Sequence, residues 1–231
     1  MKVLELFSGT GSVKKVCEEL GWEVVSVDIT DQFHPVDHKV DILEWDYKKL
    51  AKDFDIVWAS PPCATFSRLT TSWFGRRLKS IDNEIFTKEI QDRREREIGV
   101  VLLDKAKEII KYFDPKYYFI ENPQTGRMKN YMNDYPHVDV DYCRYSDWGY
   151  KKRTRVWTNV EGFEPKLCQR KGAHNIQIGH KTKDGTTPSL RLKDRYRIPP
   201  DLIKALFERT NSPGTANTTE QGADIQENTP P

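Results

Sequence analysis

The sequence predicts an α/β fold, a mostly parallel sheet with helices on both faces. Two observations predict it. Short valine- and isoleucine-rich segments alternate with segments of helical period. The residues best suited to chemistry all fall directly after the apolar segments, where α/β sheets bind ligands.

Lys2 to Leu6 reads as a short buried strand. It runs into Phe7-Ser8-Gly9-Thr10-Gly11-Ser12, a turn that needs glycine flexibility. Val13, Val16, Cys17 and Leu20 then recur at i, i+3, i+4 and i+7, one face of a helix that Gly21 ends. Glu23 to Asp28 is a second strand, so the chain opens on a βαβ unit. Ile56 to Ala59 is another strand and leads into Ser60-Pro61-Pro62-Cys63. The polar, basic stretch after it shows no clear period until about Arg93. A helix follows, with Ile98, Val101, Leu102, Lys105, Ile109 and Phe113 on one predicted face. Tyr117 to Ile120 is a strand ending in Glu121-Asn122-Pro123. Val138 to Tyr142 and Arg155 to Thr158 read as further strands. Pro199-Pro200-Asp201 suits the opening of a last helix with Leu202, Ile203 and Leu206 in the core.

The chain has 231 residues, enough for one domain with a real core (expected over 1–210). No run approaches the roughly 20 apolar residues of a membrane span, and the N-terminus lacks the apolar core of a signal peptide. An intracellular protein is the expectation. Cys17, Cys63, Cys143 and Cys168 form no CxxC pair, so thiols are expected rather than disulfides. Residues 211–231 are polar and nearly devoid of apolar side chains, the composition of a disordered tail. Net charge is only +2, but without that tail 37 basic residues face 32 acidic ones. The excess concentrates in Arg68 to Arg96 and Arg144 to Arg197, patches suited to a polyanion or to a solvated charged surface.

Gly9-Thr10-Gly11 allows close backbone approach to a ligand, and Asp28 stands about where a ribose-binding acid is expected. The third glycine of the dinucleotide pattern is absent, which argues against NAD. Asp41-Ile42 is a candidate for the adenine end of a nucleoside cofactor. Pro61-Pro62 stiffens the backbone before Cys63, so that thiol is presented rather than packed. Glu121 places a carboxylate at a strand end. In a strand, residues 151, 153 and 155 share a face, which directs Arg153 and Arg155 together at an anion or a carbonyl. Cys168, His174 and His180 fit no strong zinc spacing, and no metal is expected.

In this order, the motifs resemble the cytosine-5 DNA methyltransferase family over roughly residues 2 to 208. Phe7-Ser8-Gly9-Thr10-Gly11 is similar to its S-adenosylmethionine (SAM) motif, FxGxG. Ser60-Pro61-Pro62-Cys63 resembles its Pro-Cys loop, and Glu121-Asn122-Pro123 its Glu-Asn motif. Arg153 and Arg155 match the two arginines of QxRxR. Ile198 to Ile203 resembles its last motif. Lys151 stands where the family has glutamine, the ninth motif is not recognisable, and residues 160–195 leave only a reduced target-recognition region. The compact form is closest to phage or viral members.

The resemblance implies a Rossmann-like SAM-dependent methyltransferase fold, a SAM cofactor and double-stranded DNA as partner, and with it goes the expectation of a monomeric, cytoplasmic protein associated with DNA in a prokaryotic or virus-infected cell. It implies SAM contacts from Phe7, Ser8, Gly9, Thr10 and Gly11, with Asp28, Asp41, Ile42 and Pro61 completing that set. It implies Cys63 as nucleophile on cytosine C6, Glu121 as hydrogen-bonding partner of N3 and the exocyclic amine, and Arg155 at O2 with Arg153 beside it. The target base must be flipped from the duplex, and residues 64–97 are the expected closing loop. Methylation of RNA by the same chemistry, and a decayed SAM- or DNA-binding protein, are the alternatives. Amino-methylation of adenine or cytosine, which needs no cysteine nucleophile, stands against Cys63.

Overall fold

The computed structural model describes residues 1–169 and 191–211. Residues 212–231 of the expected tail, most of the reduced recognition region, and His174 and His180 lie outside the described residues, while Asn211, expected in the tail, ends the last helix.

Seven strands form one sheet: β1 (Lys2–Leu6), β2 (Glu23–Asp28), β3 (His38–Lys39), β4 (Ile56–Ala59), β5 (Tyr117–Pro123), β6 (His137–Asp141) and β7 (Arg153–Thr158). The order is β3-β2-β1-β4-β5-β7-β6. The first five are parallel, and β7 is antiparallel to both β5 and β6. The helices are α1 (Ser12–Glu19), α2 (Lys88–Arg94), α3 (Val101–Phe113), α4 (Leu192–Tyr196) and α5 (Pro200–Asn211).

Strand alternation divides the core into two layers. Leu4, Leu6, Val57, Ala59 and Ile120 face α3 and meet its buried Leu103, Ala106 and Ile109. Val3, Ile56, Trp58 and Phe119 face the other way, toward Val13, Val16 and Cys17 of α1 and Leu202, Ile203 and Phe207 of α5. Burial on both faces is why these strands read as nearly unbroken apolar runs. Trp58 stacks on Phe119 at 5.2 Å, and Phe207 meets Trp58 edge-on at 6.1 Å.

The predicted strands and the first and last helices lie where the sequence placed them, with Leu202, Ile203 and Leu206 fully buried. The helix before β5 differs. It begins earlier, at Lys88, where the Thr87 hydroxyl accepts from Ile90 N and caps it. A π-helical stretch, Glu95–Val100, then joins α2 to α3. That stretch rotates the periodicity, so the buried stripe is Leu103, Ala106, Ile109 and Phe113. Ile98 and Val101, expected in the core, are exposed. The two-residue β3 and the single-turn α4 have too few residues to show a period.

The strand order reverses between β1 and β4, which pair with each other, so the turn after β1 and the Pro-Cys loop after β4 leave the sheet side by side. Ser60 N donates to Leu6 O at 3.2 Å and locks the two exits together. This switch point is where doubly wound sheets open a ligand crevice.

Candidate active site

The turn after β1 is left-handed at Phe7 (φ 57°), Gly9 (φ 52°) and Gly11 (φ 65°). A non-glycine residue there costs about 1–3 kcal/mol, strain of the kind concentrated at ligand sites. Two carboxylates hold the turn. Asp28, ending β2, accepts from Gly9 N at 2.9 Å and from Thr30 N at 2.9 Å. Glu5 is buried under the turn and accepts from Val13 N and Lys14 N, each at 3.2 Å. It thereby caps α1, whose N-cap residue, Gly11, has no side chain to do so. The Ser8 hydroxyl donates to Glu5 Oε2 at 2.8 Å and lies 2.9 Å from His34 Nε2. Burial pushes the Glu5 carboxyl up to about 7, against the pull of those three hydrogen bonds.

A cavity of about 490 Å³ opens over the switch point. Phe7, Ser8, Gly9, Thr10, Asp28, Asp41 and Ile42 line one end, and Cys63, Glu121, Asn122 and Lys152 line the other, with Pro61 and Pro62 in its wall. Val40, Leu43, Ile98 and Leu102 add apolar surface, and Phe33, Tyr196 and Ile198 form part of the wall. Ile98 and Leu102, expected in the core, serve as cavity wall instead. Asp41 caps its own turn through Leu43 N at 2.9 Å. Gly11 is the one cofactor candidate outside the lining. Its place is taken up by packing, since a Cβ there would lie 2.8 Å from the His34 ring.

At the reacting end, Asn122 Nδ2 donates to Pro61 O at 2.8 Å and ties the end of β5 to the Pro-Cys loop. Tyr142 donates its hydroxyl to Glu121 Oε1 at 2.9 Å. Lys152 Nζ lies 3.8 Å from the same oxygen and 4.7 Å from the Tyr142 ring centre. Burial pushes the Cys63 thiol up, Lys152 pulls it down, and Glu121 pushes it up again.

The two arginines stand elsewhere. Arg153 binds Asp141 in a two-pronged pair, Nε at 3.1 Å and Nη2 at 2.7 Å. Arg155 binds Asp139 likewise, at 2.7 and 2.9 Å. Residues 151, 153 and 155 do share a face, as the strand period required, but that face meets the carboxylates of β6. The cavity receives Lys152 from the opposite face. Lys152 stands just before β7, and which face of this polar run meets the cavity depends on where β6 packs. Glu5, His34 and Tyr142 gave no sequence signal, because their roles depend on contacts formed only on folding.

Residues 64–97 follow Cys63 immediately. They form 3₁₀ turns at Arg68–Trp73 and Lys79–Ile81, a bridge between Arg77 and Ile85, and α2. Phe66 is fully buried and accepts Arg127 N at 2.9 Å, while Gln91 Nε2 donates to Ser67 O at 3.0 Å. Leu69, Trp73, Phe74 and Ile85 remain exposed.

A Rossmann-like sheet with an antiparallel seventh strand, carrying one crevice across its switch point, defines a methyltransferase of the α/β class. The family model for C-5 cytosine-specific DNA methylases matches residues 1–151. A protein of Frog virus 3 (isolate Goorha), described as "Probable DNA (cytosine-5)-methyltransferase", is 45% identical over 230 residues, covering 90% of this chain and 99% of its own. The chain belongs to the C-5 cytosine-specific DNA methylase family. Among solved structures, an Entamoeba histolytica methyltransferase, EhMeth, aligns at TM-score 0.40 and 19% identity, over 74% of this chain and 57% of its own. S. pombe Dnmt2 methyltransferase aligns at TM-score 0.38 and 15% identity, over 76% and 57%. The chain thus spans little more than half the length of those two structures.

Proposed function

We propose that this enzyme transfers a methyl group from SAM to C5 of cytosine in double-stranded DNA, with Cys63 as nucleophile. One observation carries the reading: a single cavity joins the glycine turn and Asp28 to Cys63 and Glu121. A methyl donor held at the first end and a pyrimidine at the second would meet inside it. The donor set fits a nucleoside cofactor. Asp28 and Asp41 supply acceptors for hydroxyl and amino groups, and Val40, Ile42, Leu43 and Leu102 supply an apolar slot for a ring. The volume suits a ligand of that size.

In duplex DNA the target carbon is stacked, so the base must be extruded into the cavity. The Cys63 thiolate then adds to C6, forming an S–C6 bond while the C5=C6 electron pair moves onto C5 and into the ring. Glu121, at hydrogen-bonding reach of N3 and the exocyclic amine, stabilises the charge developing there. Asn122 keeps the Pro-Cys backbone fixed during the attack. SAM, when bound, would supply an electrophilic methyl carbon: the C5–CH3 bond forms as the sulfonium S–CH3 bond breaks, its electron pair staying on sulfur to leave the thioether S-adenosylhomocysteine. The C5 proton then leaves to water, the S–C6 bond breaks, and the thiolate returns. Splitting one difficult substitution into an addition and an elimination is the gain from covalent chemistry. Arg153 and Arg155 act in this scheme as clamps between β7 and β6, and the O2 contact is not assigned to them. Residues 1–210 form the catalytic domain of the proposal, and 64–97 the segment that closes over DNA.

The test is covalent trapping. DNA containing 5-fluorocytosine cannot release its C5 substituent, so the wild-type enzyme with SAM should remain attached to it through Cys63. Cys63→Ala should trap nothing, transfer no methyl group and still bind SAM. Labelled transfer to DNA compared with RNA reads the substrate class. A Cys63→Ala protein of undiminished activity refutes the mechanism.

A further inference from the structure

Lys152 is the only lysine or arginine among the described residues that line the cavity. Its side chain is 14% exposed. Among the described residues no carboxylate holds it in a close pair, unlike the guanidinium groups of Arg153 and Arg155. Its ammonium sits instead among three weaker partners: Glu121 Oε1 at 3.8 Å, the Tyr142 ring at 4.7 Å and the Arg195 carbonyl at 3.5 Å. Each attracts a cation, and none neutralises it at contact. A desolvated cation with an incomplete partner set keeps much of its field for its neighbours, because little water screens it.

We propose that Lys152 is the positioning residue that supplies the positive charge for the Cys63 thiolate and keeps Glu121 turned toward the substrate. The inference rests on the proposed methyl transfer. Cys63 also faces Glu121 of β5, Arg195 and Tyr196 of α4, and a cavity wall that includes Glu97. Two of these groups, Glu121 and Lys152, oppose one another in the same cavity. Burial and Glu121 both raise the thiol, and Lys152 is the largest of the influences that lower it, ahead of the backbone at Cys63 and Arg195, so loss of the lysine removes the main support of the anion. The ionising proton passes from Sγ to solvent water, and Lys152 itself neither gains nor loses one. It acts through Cys63 and Glu121 rather than on the base.

The experiment follows iodoacetamide labelling of the Cys63 peptide by mass spectrometry, from neutral to alkaline pH, in the wild type, Lys152→Met and Lys152→Arg. Lys152→Met should shift the labelling midpoint upward and slow labelling at neutral pH by about tenfold, the factor that one pH unit corresponds to. Lys152→Arg should restore most of it. In the methyl-transfer assay kcat should fall for Lys152→Met, while KM for DNA and SAM binding stay near wild type. An unchanged midpoint overturns the proposal. So does a raised KM for DNA with unchanged kcat, the result for a mere phosphate contact. Should Lys152→Met fail to bind SAM or to melt cooperatively, Lys152→Gln makes the same comparison with a polar side chain. A wild-type enzyme that transfers no methyl group to DNA refutes the functional reading instead, and the labelling comparison still reports the coupling between Lys152 and Cys63.

Discussion

Glu5 is a carboxyl group whose folded environment works against its charge. In the unfolded chain it titrates near its usual 4.5, and burial under the glycine turn raises it to about 7. Between those values the folded protein holds a proton that the unfolded chain has released. The contribution of this group to stability is therefore full below about pH 4.5 and is lost as pH rises through about 7. The amplitude is on the order of 3 kcal/mol. Glu5→Gln should flatten that part of the pH profile of Tm, making the variant relatively more stable at pH 8 than at pH 5, as differential scanning calorimetry would read. A steeper profile in the variant contradicts the argument. Nothing local in the sequence marked Glu5 as buried. A lone acid in an apolar strand reads equally as a residue facing water, and only the return of α1 onto the same face of β1 closes over it. Cys63 and Glu121 were legible because one follows β4 within a short loop and the other lies near the end of β5, and strand ends in this fold class converge. Lys152 was hidden by its neighbours: five consecutive polar residues offer two faces, and only the position of β6 says which one meets the cavity.

At the scale of elements, the excursion from Cys63 to α2 joins the reacting sulfur to a run of exposed cations and aromatics. Phe66, Ser67 and Gln91 anchor its base, while Arg68, Arg76, Arg77 and Lys79 stand with Trp73 and Phe74 farther out. If this segment meets the duplex backbone, replacing Arg76, Arg77 and Lys79 by alanine should weaken DNA binding at every sequence and lower the slope of log K against log salt by roughly one per lost phosphate contact. Fluorescence anisotropy at several salt concentrations measures both. A slope equal to the wild type removes the segment from the DNA interface. No period shows through this segment because its turns are 3₁₀ and its helix passes into a π-helical stretch. Gly99 lies in that stretch, and a Cβ there would come within 2.5 Å of Thr65 Oγ1 and 2.9 Å of the Phe66 ring. The small residue that breaks the pattern is what lets the chain just after Cys63 settle against α3.

Across the whole molecule, the crevice is walled by both halves of the sheet, β1 and β2 on one side, β4 and β5 on the other, with Ile198 closing in from before α5. A ligand there binds only the assembled fold, so SAM should raise Tm by mass action, equivalent to about 2.7 kcal/mol at a concentration one hundred times Kd. The increment should be the same for Cys63→Ala, whose change lies at the far end of the cavity. A thermal shift titration decides it, and a shift absent from both proteins would remove the cofactor assignment. The general architecture was legible at this scale because buried parallel strands have no choice but apolar runs. The antiparallel insertion of β7 was not, since strand direction depends on contacts distant in sequence. The order of synthesis adds a last consequence. β1 is made long before α5, yet α5 covers one of its faces, and Ile198 N reaches back to Ser12 Oγ at 3.0 Å. Until α5 has been made, Val3, Trp58 and Phe119 have only α1 to cover them on that face, so this apolar layer is completed late in synthesis.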